Sequence, residues 1–562
     1  MKLIYGVKDK PKVGQTIVFA HQQLLAIMAA TLVVPVIVGH GMQPTAALFG
    51  AGIGTLVYLL FTKFRSPVFL GSSFAFLGSM AAAFAGGVSA ALGYLGLIIG
   101  AVLAGLVYVI IAIIVKFAGT KWINKLMPAV VIGPTVAIIG LCLAGNAIGD
   151  LQKVNYTEVY DNSEYQIVRV YDTHEEIKDE NGNTVKYKFT KADENLSNDG
   201  VTIVVKKDAD IADLDAADYY QHIQYNLSEK LDKNGDPEKD EAGNTVYVES
   251  LSSTPGSVYV AIVCGLVTLA VTMLCSVYAK KKSIFRLIPF IIGICSGYVC
   301  ALIFFLIGKA TGNASLMIID LSPFAGLLND GKVTLETFVS LPKFTFLSAF
   351  GKFGELSPQY FLTIFAAYVP VAFVVFAEHL ADHKNISSII EKDLLEDPGL
   401  HRTLLGDGIG SMAGAFFGGC PNTTYGESIG CVAITGNASV ITIVFAAFGA
   451  ILISFLSPFV AFVNSIPSCV MGGVCMALYG FIAVSGLKMV QKVDLEENRN
   501  LFVVSVILIA GIGGLAISFG KVTITEIACA LILGILTNLM LSGKKKEAVQ
   551  AAEKEENSEE NK

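Results

Sequence analysis

Charge is scarce in this sequence. Only 15% of its 562 residues are Asp, Glu, Lys or Arg, 53% are apolar, and the mean hydropathy is +0.62. So few charges do not cover a water-soluble domain of this size, which excludes a soluble enzyme or binding module. The ten cysteines lie in or beside apolar runs, and residues 151–255 contain none. That argues against a disulfide scaffold and against a cysteine-held metal. No phosphate-cradling glycine loop is present, so nothing supports direct drive by ATP. No enzymatic chemistry, cofactor or nucleic-acid partner is expected.

Long apolar runs are abundant. After the basic stretch Lys2–Lys12, the run 16–39 continues past signal-peptide length without a convincing cleavage site, and it reads as a first membrane span. Further runs cover 45–61, 68–88, 92–116, 127–148, 257–279 and 285–308. An eighth span starts near 360 and reaches Ala377-Glu378-His379-Leu380-Ala381-Asp382-His383, where its helix either ends or carries polar residues into a protein-lined interior. Runs at 427–436, 440–464, 468–487, 501–517 and 524–541 complete the series. Counting interrupted segments, about fourteen spans are expected in an all-α polytopic membrane protein.

Hydrophobicity collapses between 151 and 255, where 23 acidic residues face 11 basic ones, although the whole chain has a net charge of only −7. Tyr165–Tyr171, the turn Asp179–Asn183 and Thr184–Phe189 predict strand, turn and strand, with further strands at Val201–Val205 and Thr245–Val248. This insert reads as a small β-rich domain. With a cytoplasmic N-terminus, Lys63/Arg65, Lys116–Lys125, Lys280–Lys282 and Lys544–Lys546 all fall inside and the acidic insert outside. The tail from 543 to 562 reads as disordered and cytoplasmic.

Two polar fractures interrupt the apolar pattern. Gly71-Ser72-Ser73-Phe74-Ala75-Phe76 favours a short extended segment in span three, with Phe74 and Phe76 alternating along it. Cys420-Pro421-Asn422-Thr423-Thr424-Tyr425-Gly426-Glu427 breaks span ten. Met127–Gly133 and Ile466–Gly472 echo each other at equivalent places after the two fractures. Seven spans per repeat is odd, so the two halves are expected to be inverted, with a binding site at the midplane.

The candidate residues follow from these breaks. Glu427 near a helix start either accepts hydrogen bonds from a ligand or caps a water-exposed helix end. Gly426 beside it allows a flat ligand to approach the backbone. A membrane-embedded acid such as Glu378 is costly unless partnered or functional, and Asp382 lies one turn further along the same face. Asp382 either exchanges a proton with Glu378 or faces water. His379 and His383 are spaced i,i+4 but lack further metal ligands. His21 and the adjacent glutamines of span one are polar groups that could reach span eight. One of Phe74 and Phe76 could stack on a planar ring while the other packs, and Tyr479 is a hydroxyl in an apolar span.

These stretches, with Asp397-Pro398-Gly399-Leu400-His401-Arg402, resemble the nucleobase–cation symporter family, which includes bacterial uracil permeases and vertebrate ascorbate transporters, over all but the insert and tail. The proton-coupled uracil permeases are the most similar group. The resemblance implies fourteen spans in two inverted repeats, with short antiparallel strands in spans three and ten. It further implies a core domain (1–120 with spans one to four, 360–464 with spans eight to eleven) and a gate domain (121–150, 256–310 and 465–542), the loop 311–359 being extracellular. Substrate contacts would fall on Glu378, Glu427, Phe74, Gly426 and Tyr425, and proton coupling or gating on Glu378, Asp382, Tyr479 and His21. The implied setting is a bacterial-type inner membrane, with uracil as substrate, the proton as coupling ion and homodimerisation through the gate domains. Three departures stand out: Asp382 occupies a place where the best-known uracil permease has histidine and purine members have Asp, Gly436 follows Thr435 where arginine is common, and the insert is unusually long. Purine symport and anion exchange are the alternatives.

Overall fold

The computed structural model describes residues 3–119, 122, 128–171, 173–192, 200–229, 246–280, 283–328, 332–519 and 522–541. Lys121, Lys125, Lys281, Lys282, Lys544–Lys546 and the tail expected at 543–562 lie outside the described residues. The chain divides into two compact units, one of Met1–Gln152, Val263–Val299 and Leu321–Lys562, the other of Lys153–Ile262 with Cys300–Asp320.

Among the described residues, eight helices are long and apolar enough to cross a membrane, and four shorter apolar helices accompany them. The protein is a polytopic, largely α-helical membrane protein with a small β-sheet region. The elements that build the site are α1 (Val13–Val38), α2 (Pro44–Phe61), strand β1 (Leu70–Ser72), α3 (Ala90–Ala118), α4 (Pro358–Ile390), α5 (Leu400–Gly418), strand β2 (Asn422–Thr424) and α6 (Gly426–Thr435). Helix α4 does not end at Leu380 but runs on to Ile390, carrying its acids and histidines inside the helix.

Small residues decide which helices touch. On α5, Gly406, Gly410, Gly414 and Gly418 recur every fourth residue and face Tyr58, Gly54, Gly50 and Ala46 of α2. A Cβ at Gly410 would sit 2.7 Å from Gly54 O, so these backbones approach as only glycine permits. Gly408 packs instead on Gly105 of α3, which wedges α5 between two neighbours. A second seam joins the helices Ala129–Cys142 and Ser468–Val490, with Gly133 and Ala137 against Gly486. Each of these helices starts directly after the proline of one echoed motif, Pro128 and Pro467, whose rings suit a helix start.

The second unit is β-rich. Tyr165–Tyr171 pairs antiparallel with Gly200–Lys206, and Glu175–Lys178 with Thr184–Lys188. Alternation along Gly200–Lys206 sends Ile203 and Val205 into a core with Val168, Val170, Phe189 and Leu214, and sends Val204 to the opposite face with Ile223 and Leu251.

Candidate functional site

Both polar fractures meet. β1 and β2 pair antiparallel, Leu70 opposite Thr424, Gly71 opposite Thr423 and Ser72 opposite Asn422. The ladder extends by one bond at each end, from Ser73 N–H to Pro421 O at 2.9 Å and from Tyr425 N–H to Phe69 O at 3.2 Å. Buried backbone must be paired, and each three-residue strand supplies what the other lacks. Gly419, in the left-handed region at φ 74°, ends α5 and turns the chain into β2.

Side chains lock this junction. Tyr425 O–H donates to Ser72 O at 2.6 Å, and its ring lies where any side chain at Gly71 would stand. Ser428, in the first turn of α6, accepts from Phe69 N–H at 3.0 Å and from Gln23 Nε2 of α1. Thr424 donates to Asp382 Oδ2 at 2.8 Å, and Thr423, pointing to the opposite face, approaches Asp407 Oδ2 at 3.4 Å.

Around the strands, Glu378, Asp382 and Glu427 are half-buried and Gly426 is exposed. Glu427 stands in the first turn of α6, where unpaired N–H groups and the helix dipole favour an acceptor. A Cβ at Gly426 would meet nothing within 4 Å, so the backbone beside Glu427 is open to a ligand. Two carboxylates and a bare helix N-terminus present acceptors and donors together, the complement of a planar ring that alternates N–H and C=O groups.

Two expectations, for the Phe74–Phe76 pair and for His21, are corrected. Phe74 and Phe76 do not alternate on a strand, because the extended segment stops at Ser72 and both occupy a 3₁₀ turn that leads into the helix Leu77–Ala83. Phe74 instead meets Tyr479 edge-on, ring centroids 5.7 Å apart, and Phe76 stacks on Tyr368. Tyr425 is buried with its hydroxyl committed to Ser72, so it holds the strand pair together. His21 is exposed, its Nδ1 3.1 Å from Ile17 O of its own helix, while Gln23 of the same helix turns inward to Ser428 on α6.

The histidines of α4 are fully buried and structural. His379 Nδ1 lies 2.6 Å from Asp407 Oδ2, and its Nε2 lies 3.0 Å from Thr403 Oγ1. His383 Nδ1 lies 2.9 Å from His379 O, and its Nε2 lies 2.7 Å from the Tyr58 hydroxyl, which donates to Ser66 Oγ at 2.6 Å. Among the described residues no group of three or more His, Cys, Asp or Glu is arranged to hold a metal ion. Asp407 escaped the reading of the sequence, although one acid within the glycine-rich run 404–419 was a usable signal.

A family model described as "Permease family" matches residues 14–169 and 244–518, and so leaves out only the middle of the insert and the two ends. The chain belongs to this family. It is the nucleobase–cation symporter family that the motifs resemble, and its members are transporters. The chain is 34% identical to a uracil permease of Bacillus caldolyticus over 97% of its own length and 96% of the relative's. It is 33% identical to a uracil permease of Bacillus subtilis over 98% of each chain, and 31% identical to one of Escherichia coli over 95% and 93%. In fold, this permease is similar to the transmembrane domain of the cyanobacterium bicarbonate transporter BicA, with a TM-score of 0.51 and 12% identity over 95% of this chain and 99% of that one. It is also similar to murine Solute Carrier 26 family member A9, an anion transporter in the inward-facing state, with a TM-score of 0.52 and 10% identity over 96% and 69%.

Proposed function

We propose that this permease takes up uracil by secondary active transport coupled to a proton. The observation that carries the reading is its identity, end to end, with uracil permeases. The site supports it, since Glu378 and Glu427 can accept from the two N–H groups of uracil while backbone N–H groups by Gly426 donate to a carbonyl. Specificity then arises because a wrong base leaves these partners unmet. Glu378 and Asp382 are the acids assigned to the proton, and substrate release inside follows deprotonation.

In this reading fourteen spans form two inverted repeats, and a core domain (1–120, 360–464) shifts against a gate domain (121–150, 256–310, 465–542), where Tyr479 faces Phe74. Both termini are cytoplasmic, the insert is extracellular, and two copies pair through their gate domains. The lysine clusters support this orientation. An anion exchanger would favour cationic or neutral groups at the half-helix ends, and Glu427 in the first turn of α6 speaks against it.

Uptake of radiolabelled uracil into proteoliposomes tests the proposal. It should rise with an inwardly directed proton gradient, collapse with a protonophore and be competed by unlabelled uracil. Uptake indifferent to both treatments overturns the coupling. Competition by xanthine but not uracil overturns the substrate, and would transfer the role of Asp382 to a purine site.

A further inference from the structure

Beside the strand pair lies a small cavity lined by Phe76, Tyr108, Val375, Asp407, Ser411 and Asn422 among others. Asp407 Oδ1, Asn422 Oδ1 and the Tyr108 hydroxyl are buried without a close hydrogen bond among the described residues, the Tyr108 hydroxyl lying toward the Thr423 side chain. Their side chains are 1%, 2% and 4% exposed, so bulk water does not satisfy them. Orphaned polar groups at this depth are destabilising and normally have a partner.

The orientation of each group is set independently. Asn422 Nδ2 donates to Gly50 O at 3.2 Å in the gap that Gly54 and Gly414 leave open, so its oxygen is the acceptor left over. Asp407 directs its other oxygen, Oδ2, to His379 and Thr423. The Tyr108 ring is held edge-on by Phe376 and His379. The residues that line the cavity therefore carry two acceptors and one hydroxyl donor.

We infer that this cavity binds one water molecule, which donates to Asp407 Oδ1 and Asn422 Oδ1 and accepts from Tyr108 O–H. The space suits about one such molecule, and three polar partners are what a buried water normally has. A metal cation fits poorly, since it needs about four to six ligands and the Phe76 and Val375 walls supply none. The water joins α3 and α5 to β2. Thr423 is braced toward Asp407 while its neighbour Thr424 reaches Asp382. Asp407 and Tyr108 are thus positioning residues for β2, and their effect on substrate rests on the transport reading above.

The test has one arm that needs no substrate. A high-resolution structure of the full chain in nanodiscs should show a density peak within hydrogen-bonding distance of all three atoms; a cavity without one overturns the proposal, as does a peak with five or more ligands at metal distances. In Tyr108→Phe, which keeps the ring and removes only the donor, amide hydrogen exchange at 422–424 should accelerate about five- to tenfold, as expected for one lost net hydrogen bond. Exchange equal to wild type overturns the positioning role. The same variant should raise KM for uracil several-fold with the maximal rate held. If the wild type does not carry uracil, only this last readout fails, and the density and exchange still decide the water.

Discussion

Thr424 on β2 donates a hydrogen bond to Asp382 on α4 at 2.8 Å, across a sequence separation of 42 residues. This bond sets the distance between the strand and the acidic face of α4. Thr424→Val keeps the shape and removes the donor, so apparent uracil affinity should fall about five- to tenfold, the scale of one net hydrogen bond. Thr424→Ser should restore it. Uptake KM for the three proteins decides the point, and a Val variant equal to wild type would detach Asp382 from the site.

Gly426 separates fold from function. Its Cβ position is open on the protein side, so the first side-chain carbon of Gly426→Val meets no clash within the fold. Thermal unfolding in detergent should shift by no more than a few degrees, while uracil binding is lost because the methyls occupy the ligand's approach. Binding that survives would place the substrate elsewhere.

Glu427→Gln and Glu378→Gln each replace a two-oxygen acceptor by an amide with a donor half. Either change should abolish or severely weaken uracil binding, by at least about a hundredfold if a charge-assisted bond is lost and a donor faces a donor. Stabilisation of the purified protein by uracil reports this without transport. Near-normal stabilisation in Glu427→Gln removes Glu427 from the site.

Away from the site, Asp397 Oδ2 accepts from Lys392 at 2.6 Å and Oδ1 from Arg65, tying the loop before α5 to the turn after α2. Lys392 foremost, then Arg65, hold the Asp397 carboxyl below the usual carboxylate range. A carboxyl whose folded value is lowered contributes stability above its unfolded value, about 4, and loses it as pH falls through the folded one. The contribution is therefore complete throughout pH 5–8, and solvent exposure keeps it small. Asp397→Asn should leave the pH profile of uptake unchanged over that range. A shifted profile would make this cluster part of the coupling machinery.

Much of the architecture was legible because a bilayer imposes length and apolarity on each span. The helix after Val13, the pair around the insert and the breaks at Gly71 and Pro421 all stand where apolar runs and their interruptions put them. The strands at Tyr165–Tyr171 and Thr184–Lys188 were readable from alternation alone. Glu378, Asp382, Glu427 and Gly426 could be singled out one by one, because an acid in an apolar run or a glycine beside one is conspicuous locally.

What sequence by itself determined is where the chain crosses, where it breaks and which polar residues sit at the breaks, since these depend on hydrophobic length and local conformation. Only the tertiary structure decided who meets whom. Gln23 finds Ser428 across 405 positions, Tyr58 finds His383 across 325, and Tyr425 finds Ser72 across 353. Local spacing carries no information about such pairs. They follow from glycine seams that bring α2, α3 and α5 to backbone contact, and from the requirement that polar groups drawn into that interior find partners there.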